Sequence, residues 1–176
     1  AAMIETLEDP FWGIRKKALQ TLKGRAVADT SLLKNRLIWM AQKDEKSAVR
    51  AEALAMLASE FGRDKNVQDV IKAALKDRSY AVAGASLRSI AEFDKDAALS
   101  AASELEKDAS GSMISAIAGL YAKNGTPENL DFFRSAFDKL TDPGDKYVFV
   151  QTFGKYLIGQ GPDTQLEGLV KLEDVA

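Results

Sequence analysis

The amino-acid sequence predicts an all-α protein, an α-α superhelix of about five helix pairs in which each pair stacks on the next. An Asp-led turn signal recurs along the chain, and the apolar residues after each Asp fall on one helical stripe. Further amphipathic segments lie between these stripes. The single β-like run, Tyr147–Val150, continues into Phe153, Tyr156 and Leu157 and therefore fits a buried helix better.

The turn signal is an Asp followed by an apolar residue and then by further apolar residues on the same helical face. It begins at Asp9, Asp44, Asp77, Asp108 and Asp142, and the last copy drifts from the pattern. The aspartates recur roughly every 31–35 residues. The segment after each Asp is predicted to be a helix. The Asp is predicted to lie in the turn before it, where its carboxylate can accept hydrogen bonds from free backbone amides.

Amphipathic segments between the Asp-led helices predict the first helix of each pair. They cover residues 31–42, 65–76, 96–106 and 127–140. The segment 65–76 has the clearest one-sided stripe, and the segment 96–106 is rich in alanine. Helices in such an array contact their partner and both neighbouring repeats, which explains apolar residues on more than one side of a helix.

Two sets of capping residues predict where later helices begin and end. Gly125 can adopt a left-handed cap, Thr126 can cap the following helix, and Pro127 suits its first turn. Thr164 and Glu167 have the spacing of a capping box, which predicts the start of the last helix.

The composition excludes several kinds of chemistry. The chain of 176 residues has no cysteine and no histidine, so disulfides, thiolate catalysis, Ser-His-Asp machinery and histidine-based zinc sites cannot be built from it. A net charge of −2 without a basic stripe argues against nucleic-acid binding. No apolar run approaches the ~20 residues that span a bilayer. No cofactor or metal is therefore expected in this chain, which is predicted to be soluble, and its compartment is not indicated.

Both ends of the chain lie within amphipathic patterns. The first residues lack the basic start and apolar middle of a signal peptide. The last residues stop inside a helical pattern. We therefore expect residues 1–176 to be a single helical-repeat domain and a fragment of a longer chain, with repeat turns at about 9, 44, 77, 108 and 142.

The Asp-led copies resemble HEAT repeats, whose two-helix unit carries an Asp-x-x-x-x-Val-Arg turn. Asp44 to Arg50 matches this turn, and Asp9 to Arg15 matches it with Ile14 in place of Val. In HEAT arrays such residues form a ladder between neighbouring repeats, and the resemblance implies that Asp9, Arg15, Asp44, Arg50 and Asp77 are its members. Ala83 and Ile114 stand where the third and fourth copies would carry Arg, so the ladder is expected to break there.

A narrower resemblance rests on Asp9-Pro-Phe-Trp-Gly-Ile-Arg-Lys-Lys-Ala18 and on Asp77–Val82. These stretches resemble the C-terminal helical-repeat region of bacterial M1-family zinc aminopeptidases (aminopeptidase N-like proteins). The family's His-Glu-x-x-His and Gly-x-Met-Glu-Asn motifs are absent here, so no catalytic or zinc-binding role carries over. The resemblance implies a parent enzyme with its zinc in a peptidase domain upstream of this chain.

Three aromatic residues can be interpreted in two ways. Phe11 and Trp12 lie beside the first turn, and Trp39 lies within a predicted helix. They either cover the core of the first repeats or form an interface with another domain, since aromatic side chains serve both purposes.

The sequence leaves two functions open. The first is a non-catalytic scaffold domain that packs on an upstream M1-like catalytic domain of the same chain and shapes substrate access. The second is an independent adaptor that binds a separate protein along the concave face of the array, because stacked repeats leave a long curved surface. A HEAT-like enzyme or nucleic-acid binder is disfavoured by the charge.

Overall fold

The helix pairs follow from where the sequence places its capping residues and apolar stripes. The computed structural model describes the backbone of residues 2–175 and the side chains of residues 4–173. Helices make up most of this range, and no strand lies within it. Tyr147–Val150, the β-like stretch of the sequence, is helical. The predicted all-α fold class is confirmed.

Two kinds of helix alternate along the chain, and we call the first and second members of each pair A and B helices. The A helices are α1 (Ala2–Glu5), α3 (Thr30–Lys43), α5 (Lys65–Ala73), α7 (Lys95–Leu105), α9 (Leu130–Ala136) and α11 (Pro162–Val175). The B helices are α2 (Trp12–Leu22), α4 (Ser47–Phe61), α6 (Tyr80–Ile90), α8 (Ser112–Asn124) and α10 (Pro143–Ile158). Short 3-10 turns lie at Thr6–Glu8, Ala74–Lys76, Glu106–Asp108, Pro127–Asn129 and Phe137–Lys139. Within residues 2–175 this gives five helix pairs followed by α11.

Aspartate carboxylates begin several of these helices. Asp29 accepts from the amide of Leu32 at 2.8 Å at the start of α3. Asp64 caps α5 in the same way, and Asp142 accepts from the amide of Asp145 at 3.0 Å at the start of α10. Each bond satisfies one of the backbone amides that a helix start leaves without a partner.

The aspartates of the first three repeat turns lie just before the B helices. The carboxylates of Asp9, Asp44 and Asp77 each accept from the amide two residues later, at 2.8, 3.0 and 2.8 Å. This hydrogen bond is typical of an Asp-led turn and fixes the direction in which the following helix leaves it.

Two predicted caps are wrong in detail. Gly125 has φ of −74°, so it is not left-handed. A side chain there is excluded by space instead, because a Cβ would lie 2.6 Å from the carbonyl oxygen of Tyr121. The predicted box at Thr164 also fails, because α11 already begins at Pro162, whose fixed φ suits a first helical residue.

The chain divides into two compact units, residues up to 95 and residues from 96 onward. That residues 1–176 form one domain stays a prediction. In unit 1, α4 is the central helix and packs against α2, α3, α5 and α6. Its buried side chains include Val49, Ala53, Leu54 and Leu57, which lie on more than one side of the helix. The alternation of small and large residues lets the neighbouring helices approach α4 closely.

Unit 2 has a core built on aromatic side chains. Phe133 of α9 stacks on Phe153 and Tyr156 of α10, with ring centroids 4.9 and 4.5 Å apart. Phe132 meets Tyr121 of α8 edge to face at 5.4 Å. The hydroxyl of Tyr156 donates to the carbonyl of Thr126 at 2.7 Å, so its polar end is satisfied inside the core.

This cluster predicts a large loss of stability for Phe133→Ala. The substitution removes a fully buried ring and leaves a cavity, so we expect the free energy of unfolding in urea to fall by about 3–5 kcal/mol. Tyr147→Ala in α10 is the control, because Tyr147 is 66% exposed and should change stability by less than about 0.5 kcal/mol. Similar losses in the two variants would show that the cluster does not stabilise unit 2.

Candidate functional site

Arg15 joins the first two repeat turns of unit 1. Its Nε and Nη2 donate to the two carboxylate oxygens of Asp44 at 2.8 and 2.9 Å. Its Nη1 donates to the carbonyl oxygen of Asp9 at 2.8 Å. The guanidinium therefore holds its own turn through the backbone and the next turn through a paired contact with a carboxylate, which is the strongest geometry available to Arg.

Arg50 repeats the arrangement between the second and third turns. Its Nε and Nη2 each donate to a carboxylate oxygen of Asp77 at 2.9 Å, and its Nη1 donates to the carbonyl oxygen of Asp44 at 2.9 Å. Asp44 thus takes part in both connections, through its side chain and through its backbone. The three turns form one connected edge, which we call the turn edge.

The pKa values of Arg15 and Asp77 on the turn edge are shifted by their surroundings. The hydrogen bonds to Asp44 raise the pKa of Arg15, although its partial burial acts in the opposite direction. Burial alone would raise the pKa of Asp77, but hydrogen bonds from Arg50 and from the Ser79 amide outweigh it and hold the pKa below its ordinary value. Each shift therefore favours the charged form of its residue.

The series of arginine–aspartate pairs ends at the third turn. Ala83 and Ile114 are at the places where Arg15 and Arg50 stand in the earlier repeats, and both are buried. Their side chains contribute apolar contacts in place of an ion pair.

Trp39 lies beside the turn edge in a cleft of about 400 Å³. The cleft is lined by Trp39 and Arg36 of α3, by Arg15, by Asp44 and by Glu8. Trp39 is 48% exposed, and the guanidinium of Arg36 lies 4.8 Å from its ring centroid. Arg36 also donates to the carbonyl of Leu7 at 3.2 Å, so the cation that stacks on the indole is itself held in place.

Phe11 and Trp12 form a separate aromatic pair at the first turn. Their ring centroids are 5.9 Å apart, and neither residue lines the cleft beside Trp39. Phe11 is 58% exposed, which corrects the interpretation that it covers the core of the first repeat. Its ring lies over Gly13, where a Cβ would come within 2.7 Å of it. The ring therefore lies close to the backbone at Gly13 although it faces solvent.

Sequence reasoning missed the part that Arg36 and Glu8 play. Arg36 Nη1 lies 3.4 Å from a carboxylate oxygen of Glu8, so these two residues connect α3 with the turn before α2. The spacing of Arg36 and Trp39 along one helix face was a usable signal for their stacking.

The described part of the chain shows neither a metal cluster nor a membrane span. No group of three or more His, Cys, Asp or Glu residues among those described could hold a metal ion. In the same range, no helix is long and apolar enough to cross a membrane. The guanidinium groups of Arg15 and Arg50 are engaged within the turn edge, whereas the rings of Phe11 and Trp39 are exposed.

The ladder predicts that Arg50→Leu destabilises unit 1. The variant leaves a largely buried Asp77 carboxylate without its partner, so we expect a loss of about 2–3 kcal/mol in the free energy of unfolding. Lys65→Leu is the control, because Lys65 and its partner Asp69 are exposed and their ion pair should contribute less than about 1 kcal/mol. Equal effects of the two substitutions would contradict the role given to the ladder.

The lowered pKa of Asp77 predicts a pH dependence with a definite sign. The stabilisation by Arg50 is fully present above the unfolded pKa, near about 4, and is lost as the pH falls through the lower folded pKa. The stability difference between the wild type and Arg50→Leu should therefore narrow below about pH 4 in urea titrations. A difference that stays constant or widens in acid would be inconsistent with this pair.

Comparison with known proteins matches the second and third turns of the ladder to a repeat family. A search of curated proteins found no match to this chain. A family model described as HEAT repeats matches residues 34–120, a segment that runs from α3 to α8 and contains Asp44, Arg50 and Asp77. Residues 34–120 are therefore HEAT repeats, a unit typical of protein-interaction scaffolds.

Proposed function

We propose that this chain is a non-catalytic scaffold that docks another protein domain on the turn edge of unit 1. The observation that carries the proposal is the exposure of Phe11 and Trp39 on a frame fixed by Arg15 and Arg50. Large aromatic side chains are enriched at protein interfaces. A partner that covers these rings gains apolar contact without first having to order them.

The rigidity of the frame supports this proposal. Association costs conformational freedom, and side chains that are already positioned lower that cost. Trp39 is held by Arg36, Phe11 lies over Gly13, and the turns beneath them are connected by two ion pairs. The edge therefore offers preformed anchors to a partner.

The specific partner that we propose is the catalytic domain of an M1-like aminopeptidase encoded upstream in the same chain. The resemblance to that family is concentrated in Asp9–Ala18, and the same stretch carries Phe11 and Trp12. In this proposal the zinc belongs to the upstream domain. The present chain packs on it and shapes the path by which substrate reaches it.

An independent adaptor that binds a separate protein is the second candidate. Trp39 favours it, because this exposed ring lies outside the Asp9–Ala18 stretch and within the matched HEAT segment. HEAT repeats commonly serve as such interaction surfaces. The two candidates differ in whether the domain that covers the aromatic rings belongs to the same chain.

A photo-crosslinking experiment tests the proposal and separates the candidates. A photoreactive phenylalanine analogue is placed at Phe11 or at Trp39, with Lys65 as an exposed control position on α5. We expect one protein segment to crosslink at positions 11 and 39 but not at 65. Crosslinking of positions 11 and 39 to an upstream domain that contains His-Glu-x-x-His supports the aminopeptidase proposal. Crosslinking to a separate protein supports the adaptor proposal.

Once crosslinking has identified the partner segment, its affinity for this chain provides the quantitative check. Trp39→Ala and Phe11→Ala should each weaken its binding about 30-fold, the size expected of an interface hot spot, and should leave the unfolding curve unchanged. Identical labelling at all three positions, or unaltered affinity in both variants, would exclude docking on the turn edge. If the reading frame upstream of this chain encodes no His-Glu-x-x-His motif, the proposal of an aminopeptidase domain as partner is excluded.

A further inference from the structure

α10 and α11 enclose an apolar groove on unit 2. Its volume is about 660 Å³. It is lined by Leu157 and Ile158 of α10 and by Leu169 and Leu172 of α11. Lys155 is the charged residue in this lining. Ile158 is 81% exposed and Leu169 is 51% exposed. A contiguous apolar surface of this kind marks an interaction site.

The burial pattern of α10 shows which face of the helix lines this groove. Its buried residues repeat the spacing of four buried residues of α4. The α10 set is Phe149, Phe153, Tyr156 and Leu157, and the α4 set is Val49, Ala53, Met56 and Leu57. With the two helices in this register, Val150, Gly154 and Ile158 of α10 correspond to Arg50, Leu54 and Ala58 of α4.

On α4 these corresponding residues face the next repeat. Arg50, Leu54 and Ala58 are buried, α6 packs against α4, and Arg50 binds Asp77 in the turn that leads into α6. On α10, Gly154 is half-buried and Ile158 is exposed. The groove is therefore the counterpart of the surface against which α6 packs in unit 1, and we call that surface the helix seat.

The occupant of that seat in unit 1 is an α-helix that contacts both preceding helices. α6 packs against α4 and also against α5, as the occupant of the groove would pack against α10 and α11. α4 lies in the same way on α2. The groove thus has the shape that this chain itself fills with an amphipathic helix.

Lys155 adds a preference for charge. On α2, Gln20 Nε2 donates to Glu52 of α4 at 3.2 Å. Gln20 follows Arg15 at the same spacing as Lys155 follows Val150, so Lys155 takes the place of Gln20 in this register. A seated helix with a carboxylate where α4 has Glu52 would present it to the Lys155 ammonium.

We propose that the α10–α11 groove binds an amphipathic α-helix of a partner protein, with an acidic residue opposite Lys155. The apolar stripe of that helix packs on Leu157, Ile158 and Leu169. This surface lies in unit 2 and shares no residue with the turn edge of unit 1, so each proposal can fail without the other.

The test uses a labelled peptide with the sequence of residues 45–62, which contains α4, as the probe. We expect saturable binding to the 176-residue chain, measured by fluorescence anisotropy. Ile158→Glu places a charge in the groove and should weaken binding about 30-fold. Val148→Glu is the matched control, because Val148 is an exposed apolar residue of α10 that does not line the groove, and it should leave binding unchanged.

A charge exchange tests the part played by Lys155. Lys155→Glu should weaken binding of the peptide by about threefold or more, and a peptide with Glu52→Lys should recover most of that loss on the Lys155→Glu protein. Phe11→Ala and Trp39→Ala should leave peptide binding unchanged, which separates this proposal from docking on the turn edge.

Several outcomes would overturn the proposal. Peptide binding that is absent, or that is equal in Ile158→Glu and Val148→Glu, removes the groove as the binding site. Self-association of the chain that Ile158→Glu abolishes assigns the groove to a second copy. If a longer protein that contains a following helix no longer binds the peptide, the groove is occupied by a helix of the same chain.

Discussion

The arginine that spans two successive turns is the interaction on which unit 1 depends. Arg15 and Arg50 each bind a carbonyl of their own turn and the carboxylate of the next, so the position of one helix pair determines the position of its neighbour. Because the carboxylates also accept from backbone amides, the same contacts set where α4 and α6 begin. Repeat stacking and helix direction are therefore coupled in this unit, and the exposed aromatic rings rest on the coupled edge.

Unit 2 achieves stacking by other means. Ile114 occupies the arginine position, and the interior is filled by rings of Phe133, Phe153 and Tyr156. Apolar packing is less directional than a paired ion contact, since its free energy follows the area buried. Val150 of α10 stands where α4 carries Arg50, and Gly154 and Ile158 of α10 line the groove.

Much of the fold could be predicted from the sequence, because its signals are local. Asp-led turns and one-sided stripes predicted the helix pairs, and the resemblance to HEAT repeats implied a ladder with Arg15 and Asp44 among its members. The details that escaped depend on space between elements. Gly125 is required by its approach to the Tyr121 carbonyl, and the exposure of Phe11 depends on how its ring lies over Gly13. The exposure of Ile158 could not be predicted, because the fifth copy departs from the motif and only the pattern of buried side chains along α10 gives its register.

Hydrogen exchange at the Ser79 amide shows whether Arg50 organises the second and third turns. This amide donates to Asp77, which Arg50 holds in place. Replacing Arg50 by Leu should speed exchange at Ser79 markedly, while the Leu32 amide, capped by Asp29, exchanges as before. Unchanged protection at Ser79 in the variant would contradict this role of Arg50, because the turn would then hold its shape without the arginine.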